Sequence, residues 1–306
     1  MAKKTQRFLS LLLFLAIITS IIPTEALAAK ENDTSASANT ISIDDAALPD
    51  ELTADDVVGE VKSLRTAETK HFKLEDGSYI AVQYETDIHY KDSKGKWQDI
   101  DNGLVSNSIE ADVIDNYTIK RNNLDINISA SSEEKTDLEV NNNKYSVSFN
   151  MIGASAAEAK VEDKEKIDDS GLASALELPN ISSTVTYAGI QSGVDLQYTM
   201  YGNDVKETIV INEKQDNYTY SFNLNLENLK PVANKDGSIS LEDNVTGEPI
   251  YLIPAPYMFD AADSYSTDVY YKLEEKSKGE YVLTIAANND WINDSNRLFP
   301  VKVDPT

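Results

Sequence analysis

The chain has 306 residues, 52 Asp and Glu against 27 Lys and Arg for a net charge of −25, and no cysteine. A field of that sign repels phosphate backbones and anionic lipid surfaces, which excludes nucleic acid as an expected partner, because such affinity comes largely from Lys and Arg. Without thiols there are no disulfide staples and no thiolate metal sites, so the fold must rest on hydrophobic cores, and the stretch after residue 60 is long enough for one or two.

In chain order, Lys3, Lys4 and Arg7 precede the uncharged apolar run Phe8 to Ile22, followed by Pro23 and Ala26-Leu27-Ala28. These are the charged, apolar and small-residue parts of a secretory signal peptide, expected over residues 1–28. The run is shorter than the roughly 20 helical residues a bilayer core requires, so a cleaved signal is expected rather than an integral membrane protein. Residues 29–60 are rich in Ser, Thr, Ala and Asp with no aromatic residue. Low hydrophobicity with excess charge of one sign predicts a flexible, disordered acidic leader, with a short helix around Leu52 to Val58 as its one candidate element.

Strand-like runs separated by turn chemistry follow. Phe72 and Leu74, the Asp76-Gly77 turn and Tyr79 to Tyr84 predict a hairpin. Ile88 and Tyr90, the turn at Asp92-Ser93-Lys94-Gly95, and Trp97 with Ile100 predict a second. Alternation continues through Tyr117 to Lys120, Leu124 to Ile128 and Tyr145 to Phe149. Residues 153–180 differ, being rich in Ala, Glu, Lys and Asp, and are expected to be a connection or insertion between a first β lobe at 61–152 and a second at 181–306. In the second, Thr184 to Tyr187, Val194 to Tyr201, Val205 to Asn212 and Tyr218 to Leu226 run extended, with Gly202-Asn203 as a turn. Asp236-Gly237 precedes Ile239 to Leu241, and Tyr251 to Ile253 stops at Pro254-Ala255-Pro256, where missing N–H donors mark a strand end. Val269 to Leu273, Tyr281 to Ala286 and Leu298 to Val303 complete the series. The expected fold class is all-β, an antiparallel β-sandwich of one large or two consecutive lobes.

Several phrases carry a resemblance. They are Ser63-Leu64-Arg65-Thr66 leading to Phe72-Lys73-Leu74-Glu75-Asp76-Gly77-Ser78-Tyr79, then His89-Tyr90-Lys91-Asp92 with Gly95-Lys96-Trp97 and Asp99-Ile100-Asp101-Asn102, and Gly193-Val194-Asp195-Leu196-Gln197-Tyr198 with Val205-Lys206-Glu207. Ile253-Pro254-Ala255-Pro256-Tyr257-Met258 and Phe299-Pro300-Val301-Lys302-Val303-Asp304-Pro305-Thr306 follow. In this order, over roughly residues 60 to 306, they resemble the N-terminal region of secreted DNRLRE-domain and RHS (YD)-repeat wall-associated proteins, WapA-like, of Gram-positive bacteria. The resemblance implies a secreted or wall-associated location and a continuation into a DNRLRE module, YD repeats and a variable toxin. It supplies no catalytic residue in this region.

Chemistry-bearing constellations are sparse. His71 and His89 are the only histidines and fall in separate predicted strands, too few for a zinc site that needs at least three converging ligands. No Gly-x-Ser-x-Gly elbow or Gly-rich phosphate loop occurs. Asp195 and Glu207 lie on neighbouring strands and are the carboxylate pair to inspect for glycosidase chemistry, which needs two carboxyls facing each other across a cleft; the structural alternative is pairing with Lys206 or bracing of a loop. Asp92-Ser93-Lys94-Gly95 and Glu242-Asp243-Asn244 are candidate loops for a structural calcium ion, neither with EF-hand spacing. The tyrosines are expected to be structural, with Trp97 and Trp291 at core or corner positions. The expectation is therefore a non-enzymatic β-sandwich region of an exported protein that seats or displays downstream modules, with a carbohydrate-binding module for wall or host glycans as the alternative and a glycosidase as the lesser one. No catalytic, cofactor-binding or metal residue is assigned, and the expected partners are glycans and modules of the same polypeptide.

Overall fold

The computed structural model describes residues 17–18, 52–84, 86–110, 113–132, 137–162, 175–176 and 182–304. The predicted signal peptide apart from residues 17–18, the leader up to residue 51 and most of the expected connection at 153–180 lie outside the described residues. The chain divides into two compact units, one from Met1–His89, Ser93–Gln98 and Lys166–Leu178, the other from Tyr90–Asp92, Asp99–Glu165 and Pro179–Thr306.

In the first unit, β1 (Ile17–Ile18), β2 (Val57–Glu60), β3 (Thr69–Leu74) and β4 (Tyr79–Gln83) form an antiparallel sheet in the order β1-β4-β3-β2. The candidate helix at Leu52 to Val58 is a single 3-10 turn, Ala54–Asp56, that runs directly into β2. Asp56 closes that turn by accepting the amide of Thr53 at 2.7 Å, and the β-branched Val57-Val58 pair then favours extension over helix. Gly77 sits at φ 86, the left-handed conformation required by the predicted Asp76-Gly77 turn. On the inward face Phe72 lies opposite Ile80 and Lys70 opposite Val82, all four buried. Arg65 grips Glu60 through two parallel bonds, Nε to Oε1 at 2.5 Å and Nη2 to Oε2 at 2.6 Å, a buried fork that satisfies both charges.

Beyond it, β5 (His89–Lys91) and β6 (Trp97–Asp99) flank the predicted turn at Asp92–Gly95. The second unit then runs through β7 (Asp101–Glu110), β8 (Val113–Arg121), β9 (Asp125–Ser129), β10 (Leu138–Asn142), β11 (Tyr145–Met151) and β12 (Ala159–Glu162). It continues with β13 (Ser182–Gln191), β14 (Val194–Tyr201), β15 (Asp204–Ile211), β16 (Thr219–Glu227), β17 (Leu229–Ala233), β18 (Ile239–Asp243) and β19 (Pro249–Ile253). Last come β20 (Tyr257–Phe259), β21 (Tyr265–Ser266), β22 (Val269–Ser277), β23 (Glu280–Ala287), a five-residue helix Asn289–Asn293, and β24 (Val301–Asp304).

Two large antiparallel sheets face each other across one core. The eight-stranded sheet has the order β22-β23-β16-β11-β10-β9-β8-β7 and the seven-stranded sheet β12-β13-β14-β15-β24-β20-β21, with β17-β18-β19 as a separate ribbon. Strands on both sides of the expected connection at 153–180 are hydrogen-bonded neighbours in the larger sheet, as where Phe149 pairs with Leu224, and β12 lies inside that connection. The alternation that predicted the strands also selects the core. In β14, Val194, Leu196, Tyr198 and Met200 point inward and are buried, while Asp195, Gln197, Thr199 and Tyr201 point out. Ile126, Ile128, Val140 and Phe222 meet them from the other sheet. Each such side chain contributes roughly 1.5–3 kcal/mol on leaving water. The final strand begins at Val301 rather than at Leu298 because Pro300 has no N–H to give the ladder.

Candidate functional site

The carboxylate pair singled out from the sequence is not brought together. Glu207 is the direct register partner of Tyr198 and Asp195 that of Val210, so Glu207 points into the core and Asp195 to the opposite face of the sheet. Asp195 braces a loop: its Oδ1 accepts the amide of Gly189 at 2.6 Å and its Oδ2 the side-chain amide of Asn212 at 2.9 Å. Gly189 stands at φ 65 in the bulge where the β13–β14 register shifts, which is the irregularity the brace holds. Lys206 turns to Asp304 rather than to Glu207 or Asp195, and Tyr257 donates its hydroxyl to the same carboxylate. Burial works against the Lys206 charge, and the Asp304 carboxylate more than restores it.

Inside the core a polar seam crosses between the sheets, none of it singled out in the sequence except Glu207. On the larger sheet, Asp137 immediately before β10 is fully buried and its Oδ2 accepts the amide of Met151 at 2.8 Å. Tyr187 reaches over from β13 and donates to the carbonyl of Ser129 at 2.6 Å. Its ring meets that of Tyr198 edge-on, centroids 6.3 Å apart, and the Tyr198 hydroxyl faces Glu207. Burial pushes the Asp137 carboxyl up to about 6, against the pull of the Met151 amide. Burial likewise pushes Glu207 up to about 8, with Tyr198 opposing and the negative charges of Asp137 and Asp304 adding to the rise. Both tyrosines are driven upward by the same desolvation and stay protonated. The sequence did carry one signal: Glu207 is in phase with Ile209 and Ile211, and period two puts all three on one face.

The remaining candidates have structural surroundings. His89 is buried, donates through Nδ1 to the carbonyl of Thr66 at 2.7 Å, and its ring lies 6.3 Å from that of Trp97. Burial lowers the His71 pKa, so it is neutral at physiological pH. Among the described residues no three of His, Cys, Asp or Glu converge as metal ligands. In the second calcium candidate, Asp243 accepts Lys144 Nζ at 2.6 Å, the Tyr145 hydroxyl at 2.7 Å and the amides of Val245 and Thr246 at 2.8 Å each. Its carboxylate is committed to four donors. Trp291 packs on the core under the Arg297 guanidinium, 4.1 Å from the ring centroid. Most tyrosines fill the core or its margin, whereas Tyr257, Phe259 and Tyr265 stack at the edge of the seven-stranded sheet. No helix among the described residues is long and apolar enough to cross a membrane.

No protein-family model matches the chain, and no solved structure does. Three curated proteins are similar over 98% of it: the tRNA(Glu)-specific nuclease WapA of Bacillus subtilis subsp. natto and the tRNA nuclease WapA of Bacillus subtilis, each 27% identical, and the tRNA3(Ser)-specific nuclease WapA of Bacillus spizizenii, 25% identical. The chain spans 13% of the length of these relatives. Their names overturn three expectations: the non-enzymatic display role with its glycan-binding and glycosidase alternatives, the absence of enzyme activity, and the exclusion of nucleic acid as a partner. The charge argument weighs the net charge of these 306 residues alone, whereas the names belong to proteins of which the chain spans 13%. Along nearly its whole length the chain is similar to the WapA nucleases of Bacillus.

Proposed function

We propose that this chain is part of an exported nuclease that acts on tRNA. The observation that carries the reading is the similarity across 98% of the chain to three proteins named as tRNA nucleases. The signal-peptide pattern at residues 1–28 supports export to the cell surface or medium, and the phrases at residues 60 to 306 support a polypeptide that also holds DNRLRE and YD-repeat segments. Its β-sandwich would then be one folded portion of a much longer enzyme. Such a polypeptide would hold its activity toward RNA despite the negative field of this portion, provided that the tRNA-contacting surface has its own positive groups.

The test is to purify the native polypeptide that includes this chain from the culture medium and wall fraction, incubate it with total tRNA, and sequence the RNA ends. Cleavage of a restricted set of tRNAs at one position is expected. Intact tRNA under all divalent-cation conditions, with a folded protein, removes the reading. Running residues 29–306 alone beside it assigns the cleaving groups to this chain or to the rest.

A further inference from the structure

The seam across the second unit is a feature the nuclease reading does not use, and its consequence holds whether or not that reading stands. Two carboxyls from opposing sheets, Asp137 and Glu207, point into one core and are joined by the rings of Tyr187 and Tyr198. Glu207 occupies a position in β15 that would otherwise be aliphatic, in line with Ile209 and Ile211. A carboxylate there forfeits hydration, whereas a carboxylic acid is a neutral group that fits an apolar layer.

We propose that Glu207 is the proton-holding latch of this sandwich, keeping β14 and β15 seated on the opposing sheet while its carboxyl is protonated and loosening them when the proton leaves. The groups facing it are the Tyr198 hydroxyl on β14, Asp137 from the opposing sheet and Asp304 on β24, with Tyr271 of β22 within electrostatic reach of Glu207 and Asp304. Lys206, the neighbouring cation on β15, is held on Asp304. Burial and the carboxylates of Asp137 and Asp304 favour the neutral form, and outweigh the Tyr198 hydroxyl, which favours the charged one.

The sign follows from linkage. A carboxyl whose folded value lies at about 8, above its unfolded value of 4.5, keeps its proton in the native state after the unfolded chain has lost it. Stability then falls as pH rises from about 4.5 to about 8, by about tenfold in the folding constant per pH unit for one proton, and levels off above. Asp137, at about 6, adds to the fall only between about 4 and 6. The window from pH 6.5 to 8 therefore reports Glu207.

The experiment measures denaturant unfolding and amide exchange of the whole chain at several pH values for the native protein, Glu207→Gln and Asp137→Asn. The native protein should lose about fivefold in folding constant between pH 7 and 8, Glu207→Gln should be flat there, and Asp137→Asn should keep the native slope. Exchange at β14 and β15 should quicken above pH 8 relative to Glu207→Gln at the same pH. Parallel profiles for native and Glu207→Gln would overturn the latch. Should that variant not fold, the infrared carboxyl band of the native protein decides: a protonated buried acid at pH 6.5 that disappears by pH 9 supports the proposal, and its absence at pH 6.5 refutes it.

Discussion

Residues in this molecule show how much one polar atom weighs in an apolar layer. The Tyr187 hydroxyl ties β13 to the Ser129 carbonyl of β9, so it spans the two sheets with one bond at 2.6 Å. Tyr187→Phe keeps the ring and removes the tie, and chemical denaturation should report a loss of about 1–2 kcal/mol. Asp243 governs the acid side. The Lys144 ammonium first, then the Tyr145 hydroxyl and two amides, hold its carboxyl well below the usual carboxylate range. A lowered folded value contributes stability above about pH 4 that is lost as pH falls through the folded value, so Asp243→Asn should flatten the acid limb of a stability curve and leave pH 6 to 9 unchanged. Glu207 was legible in the sequence through its phase with Ile209 and Ile211. Asp137 was not, because it stands just outside β10, where alternation no longer says which way a side chain points.

Among the elements, the strands best read from sequence were those with one wet and one dry face. The pattern Val-Asp-Leu-Gln-Tyr-Thr-Met-Tyr of β14 declares itself. By contrast β7, Asp101–Glu110, carries Asn, Gly and Ser along its length and offers almost no period, β17 is interrupted by Pro231, and β20 has only three residues. The two ends of the eight-stranded sheet also differ. β22 carries Lys272, Glu274, Glu275 and Lys276, charges that discourage another strand from docking. β7 is instead broken by register shifts against β8, and such irregularities twist an edge away from flat pairing. At the β22–β23 hairpin, Gly279 stands at φ 81, and a Cβ there would lie 2.8 Å from the carbonyl oxygen of Leu226. Gly279→Ala should therefore cost about 1–3 kcal/mol, seen as a lowered thermal midpoint, since both backbone conformation and contact are offended.

For the molecule as a whole, the all-β class and the WapA-like resemblance were legible in the sequence; sheet order was not, because local pattern does not say which strands become neighbours, and the non-enzymatic role was overturned by the names of the relatives. The β24 strand closes the seven-stranded sheet: Val303 pairs with Ile209 on one side and Met258 on the other, and Val301 and Val303 are fully buried. Removing residues 301–306 should leave β15 and β20 each with one flank unpaired and split the sheet between them, and the truncated chain should bind a hydrophobic dye and lose its cooperative melt.

The place of β16 between β11 and β23 bears on the order in which the molecule can be assembled. A ribosome that has delivered residues only up to Met151 leaves β11 with a bare flank, and its neighbour comes more than sixty residues later, after the whole β12–β15 meander. Pairing over such separations is slow, since the loop must close before contacts reward it. A nascent chain of this kind cannot complete its eight-stranded sheet until its last third arrives, so that sheet is a late product of synthesis.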